Sequence, residues 1–176
     1  MAALYGIERV LDQALAALKA GMGTKLDALE TEYGDSLVLA EPSTSTGYWC
    51  HVRPPDPANV EDWGDLTQPS ILLWPAQDAL TATSSPNPNI ANEYAVSTDL
   101  IVAVAVRADT QAQSDDRQMR YVRAVKEVLC ASSALACGQC LWSGTDWRQR
   151  DIVPSEADYT LQAVVSAFTV ITFEQA

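Results

Sequence analysis

An α+β fold, a mostly antiparallel sheet with two main helices packed on one face, is what this sequence predicts. Three observations point to it. The stretch Tyr94–Val106 reads as a strand, with an uninterrupted apolar segment from Leu100 to Val106. Such a run suits a strand covered on at least one face. A polar turn follows, then a helix from about Ser114 to Leu129, with Met119, Val122, Val125, Val128 and Leu129 at helical spacing. A strand feeding an amphipathic helix that must lie back on the sheet seeds a two-layer sandwich. The third observation is the closing strand, Tyr159–Phe173, where Leu161, Ala163, Val165, Ala167 and Thr169 alternate with Gln162, Val164, Ser166, Phe168 and Val170.

Taken in order, Leu4–Lys19 places Leu4, Ile7, Leu11, Leu15 and Leu18 on one face, with Val10 and Ala14 beside them. Steps of three and four make this an amphipathic helix. Gly21 and Gly23 are expected to stop it. A second short helix is expected over Thr24–Tyr33, ended by Gly34-Asp35, and Leu37-Val38-Leu39 has the composition of a short strand.

From Glu41 to Gln68 the chain changes character, with Pro42, Pro54, Pro55 and Pro57 among Ser-Thr and Asp-rich turns. Ordinary connections run about 4–6 residues. This one also carries Tyr48, Trp49, Val52 and Trp63, so residues 41–68 read as an excursion docked on the domain or a neighbour, with a short strand at Tyr48–Val52. Ile71–Trp74 is a compact strand ended by Pro75, and Thr81–Asn89 a loop rich in breakers. After Leu129, Cys130–Gly144 turns the chain, with short strands expected near Cys140–Trp142 and Arg148–Val153. No internal repeat appears, and residues 1–176 read as a single domain.

Eleven basic residues against 23 acidic ones give a net charge of −12. That balance argues against a surface built to grip nucleic acid, which needs clustered Lys and Arg. It suits ordinary solubility, and also a wall past which DNA slides without sticking. No apolar run approaches the ~20 residues of a membrane-spanning helix. The N-terminus lacks a secretory pattern, so an intracellular site of synthesis with reduced thiols is expected.

Chemistry is thinly represented. Cys137-Gly-Gln-Cys140 has the spacing of a metal or thiol-exchange pair, but it follows a helix end and begins no helix. Zinc would need two further ligands, for which Cys130 and the Cys50-His51 pair are the candidates beyond carboxylates. Small buried or half-buried thiols are the expected role. His51 is the single histidine, and no Gly-x-Ser-x-Gly elbow or phosphate-cradling glycine loop is present. Asp115-Asp116 are expected in the first turn of the second main helix, where negative charge meets the dipole favourably. The sequence thus implies no catalytic residue, no cofactor and no metal.

Contact residues are better represented. Trp49, Trp63, Trp142 and Trp147 fall in loop-like contexts, where aromatic anchors mark contacts between chains or pin an excursion to its own domain. Trp74 is expected in the core. Arg117, Arg120 and Arg123 step by three along one outer helix face. The commoner meaning of such a stripe is a solvated face; the other is contact with an acidic neighbour in an oligomer.

The strand ending Val104-Ala-Val-Arg-Ala-Asp109, a polar turn, and the helix Asp115-Asp-Arg-Gln-Met-Arg-Tyr-Val-Arg-Ala-Val-Lys-Glu-Val-Leu129 resemble the middle of tailed-phage tail terminator and head–tail connection proteins. In that family an N-terminal helix precedes a strand like Pro69–Pro75, and the chain closes on strands like Tyr159–Phe173. The resemblance follows most of the chain in order and length, through loose hydrophobic patterns. The excursion at 41–68 is longer than the family pattern. The resemblance implies a structural virion protein in the tail or neck, assembled in the host cytoplasm. Its ring, usually of six copies, caps the tail tube, meets the head connector and lets DNA pass its lumen without specific binding. Another head-completion, neck or tail-tube-related part is the alternative within the virion, and a small metal or thiol enzyme using Cys137 and Cys140 the alternative outside it.

Overall fold

A computed structural model describes residues 7–50, 69–84, 93–106, 111–131, 138–153 and 161–175. The elements are α1 (Ile7–Tyr33), β1 (Tyr48–Cys50), β2 (Ser70–Ser84), β3 (Glu93–Val106), α2 (Gln111–Ala131), β4 (Gly138–Val153) and β5 (Leu161–Gln175). They form one five-stranded sheet in the order β1-β2-β3-β5-β4. β1 lies parallel to β2; every other neighbouring pair is antiparallel. The predicted α+β class and the mostly antiparallel sheet are what the chain adopts.

Both helices lie on the same face of the sheet. Ile71 and Leu73 of β2, Leu100, Val102, Val104 and Val106 of β3, and Phe168 and Val170 of β5 join one core with Leu18, Met22, Leu26 and Leu29 of α1 and Tyr121, Val125 and Leu129 of α2. Alternation puts these strand residues on the helix side. The α2 stripe is rotated from the expected one: Tyr121 and Ala124 are buried, while Met119 stands exposed.

α1 is one helix of 27 residues, running straight through Gly21 and Gly23. The glycines do not terminate it, because packing against α2 outweighs their low propensity. A Cβ on Gly21 would sit 3.0 Å from a γ-methyl of Val128, so the missing side chain lets the two helices approach. The actual stop is Gly34, at φ 61°, whose N–H bonds to the Glu30 carbonyl at 2.9 Å in a left-handed C-terminal cap. Successive contacts fix an antiparallel helix pair: Asp35 meets Arg120, Glu32 meets Arg123, Lys25 meets Glu127, and Gly21 faces Val128.

Leu37-Val38-Leu39 is not a strand. Its amides are taken locally, Leu37 N–H by Asp35 at 3.0 Å and Leu39 N–H by Glu30 at 2.5 Å, leaving no ladder. The in–out alternation survives, with Leu39 buried and Val38 exposed. The short strand expected at Tyr48–Val52 appears as Tyr48–Cys50; residues 51–68 lie outside the described set.

Pro75 does not end β2. The strand passes it and continues to Ser84, through part of the expected loop; residues 85–92 lie outside the described set. Proline is tolerated where a ladder bond is not required, at an edge or a bulge. Among the described residues both conditions hold here. β1 pairs only Ile71–Leu73, and the β2–β3 register shifts just after Pro75, which pairs with Leu100 while Leu80 pairs with Thr98. β4 likewise runs through the two short strands expected near 140 and 150, with three register shifts along it. β5 is continuous over Leu161–Gln175.

Candidate interaction surface

Of the arginine stripe, Arg120 is turned into the molecule, while Arg117 and Arg123 are half-buried. Arg120 is only 5% exposed, which removes it from any solvated face. Its Nη1 donates to Asp35 Oδ1 at 2.9 Å and its Nη2 to Oδ2, a two-pronged grip on one carboxylate. The guanidinium also lies 4.1 Å from the centroid of the Tyr33 ring. The Arg120 hydrogen bond, followed by the Leu37 amide, holds the Asp35 carboxyl down at about 2. Arg123 bonds both Glu32 oxygens, at 2.7 and 2.8 Å, and donates from Nε to Glu127 at 2.9 Å. Arg120 and Arg123 therefore clasp the C-terminal end of α1. The signal available in the sequence was the matching step of three between Glu32 and Asp35.

The tryptophans are distributed differently from the expected loops. Trp49 sits on β1, 38% exposed, its Nε1 donating to the Thr46 carbonyl at 2.5 Å. Trp142 and Trp147 lie within β4, Trp142 at the register position opposite Phe168. Three of the four thus fall on the two edge strands of the sheet, at opposite sides. Trp63 lies outside the described residues, and Trp74 of β2 is half-buried on the face away from the helices.

Next to β1 is a polar corner. Tyr121 Oη donates to the Ala40 carbonyl. Tyr48 Oη is buried and has no hydrogen-bond partner among the described residues. Burial pushes both phenols up in pKa, with Glu41 adding to the effect at Tyr48.

Cys50 and Cys130 are free and exposed, where buried or half-buried thiols were expected. Burial of its thiol, then Asp12, nevertheless raises the pKa of Cys50. Cys140 lies in β4 opposite Val170; Cys137 and His51 fall outside the described residues. Because α2 begins at Gln111, Asp115 and Asp116 stand beyond its first turn, which carries no acidic residue. Among the described residues no group of three or more His, Cys, Asp or Glu side chains is placed to hold a metal ion. No described helix is long and apolar enough to cross a membrane.

The distinctive surfaces are the sheet edges. β2, β3, β4 and β5 run 14 to 16 residues, far beyond the usual ~5–6. Among the described residues, β1 covers only a short piece of the β2 edge and nothing pairs with the outer edge of β4.

No family model matches the chain, and no curated protein matches it. Among solved structures, a chain from the virion of a native gene transfer agent particle is similar over 90% of this chain and 96% of that one, at 17% identity and a TM-score of 0.44. A likeness this loose establishes no shared role.

Proposed function

We propose that this protein is a non-enzymatic structural part of a tailed-phage-type virion, a tail terminator whose ring of six copies caps the tail tube and receives the head connector. The observation that carries this reading is the architecture itself. A helix, the short β1 beside the long β2, a long apolar strand, the clasped second helix and two closing long strands occur in the order the family resemblance implies, with both helices on one face. A cyclic ring closes heterologous contacts. With −12 charges per copy the ring repels a DNA backbone in its lumen, which permits passage without binding.

The test is assembly. Light scattering should give the mass of six chains, alone or on purified tail tubes, and negative-stain images should show tubes of fixed length carrying a cap. A protein that stays monomeric and leaves tube ends bare would overturn the proposal. A cap at the head vertex instead of the tube end would favour a neck adaptor.

A further inference from the structure

We propose that copies of this chain join edge to edge: the outer edge of β4 in one copy adds antiparallel to the outer edge of β2 in the next, just beyond the point where β1 ends. The inference rests on the ring reading above and names the contact that closes the ring.

Strand direction permits it. β2 and β5 run one way, β3 and β4 the other, so β4 of one copy meets β2 of its neighbour antiparallel when both copies keep their helices on the same side. Level also permits it. The paired rows run Thr81–Ser97–Ile171–Gln139 and Pro75–Leu100–Phe168–Trp142 across the sheet. The segment of β2 from Trp74 to Ala82 therefore stands at the height of Gly138–Gly144 on β4. Among the described residues, β1 blocks the β2 edge only at Ile71–Leu73, one step below.

Long bare strand edges are templates for further pairing and are normally shortened, charged or covered. Neither edge here is short; in its facing segment β2 carries Asp78 as its one charged residue, and the pairing must pass Pro75, which donates no N–H, and the register shift after it. Gly138–Gly144 carries no charged residue. Main-chain hydrogen bonds supply the attraction, as in strand addition generally. The occupant is a second copy because the two edges are mutually complementary in direction and level. A β4–β4 pair would give a two-fold dimer and leave the β2 edge bare, whereas β2–β4 pairing uses both edges and repeats around a ring. Trp49 and Trp142, on opposite edges, fall at or beside this seam.

The test is disulfide trapping in a chain whose Cys50, Cys130, Cys137 and Cys140 are replaced by Ser. Thr81→Cys is combined with Gln139→Cys or with Leu141→Cys, and each single variant is the control. Mild oxidation should give a covalent ladder up to the closed ring in at least one double variant, and none in the singles. A ring mass without cross-links in either double variant overturns the edge contact and leaves the ring reading standing. Dimers from Gln139→Cys or Leu141→Cys alone overturn it in favour of β4–β4 pairing. A monomer under every condition, tail tubes included, removes both. Should the variants misfold, hydrogen exchange on the unaltered chain decides. The outward-facing amides within 74–82 and 138–144, every second one and none at Pro75, must gain protection on assembly, and unchanged exchange there overturns the contact.

Discussion

Arg120 and Asp35 show how much one pair decides about the meaning of a sequence feature. A guanidinium taken this far out of water requires its carboxylate, since a buried charge left alone is strongly unfavourable. Asp35→Asn should lower the denaturation midpoint at pH 7. The carboxyl is depressed from 3.8 to about 2, so the stability it contributes is complete above pH ~4 and lost as pH falls towards 2. The gap between wild type and variant, followed by urea titrations, should close over that window; a gap constant from pH 5 to 2 would refute the assignment. The two tyrosines give an opposing pair. Tyr121→Phe removes a hydroxyl bonded to Ala40 and should cost about 1 kcal/mol, whereas Tyr48→Phe removes a buried hydroxyl with no described partner and should be neutral or stabilising. Equal losses in thermal unfolding would contradict this contrast. The arginine stripe was legible as a spacing. Its destination was not, because a period of three does not say which face meets the neighbouring helix.

At the level of elements, α1 and β2 teach the same point: breakers mark places where a local preference is tested, and tertiary contact settles the result. Gly21 and Gly23 read as a stop, yet one faces Val128 and the other the Glu41 carboxylate. Their substitutions should therefore diverge. A Cβ at Gly23 meets the flexible end of Glu41, which can swing aside, so Gly23→Ala should gain roughly 0.5–1 kcal/mol of helix propensity. At Gly21 the obstacle is Val128, stiff at χ1 within α2, so Gly21→Ala should lose about 1 kcal/mol or more as the helices are forced apart. Chemical denaturation of both variants measures this directly, and stabilisation by both would overturn the close-packed seam. Apolar periodicity, by contrast, was readable because burial enforces it: Leu11, Leu18, Leu26, Leu29, Val102, Val104, Val125 and Phe168 all enter the core. Pairing was not readable, since strand order and the parallel β1 depend on partners distant in sequence.

For the whole molecule, the charge is the broadest constraint. At −12 the protein should show no retention of duplex DNA in a gel-shift assay at physiological salt, even at tens of micromolar protein. Retention would mean that local basic clusters override the net field. The α+β class followed from alternation and helical spacing, while the edge positions of Trp49, Trp142 and Trp147 could not, because strand order decides which residues border the sheet. One feature of that sheet has a mechanical side. Between Pro75 and Leu80 the β2–β3 ladder loses step, with six helix-backed pairs before it and five pairs after it. Such a break behaves as a joint. A load on the portion beyond the break should be taken up first by rotation there, ahead of the clasped helices. In the unassembled protein, amides of 76–79 should accordingly exchange with solvent faster than those of 71–73.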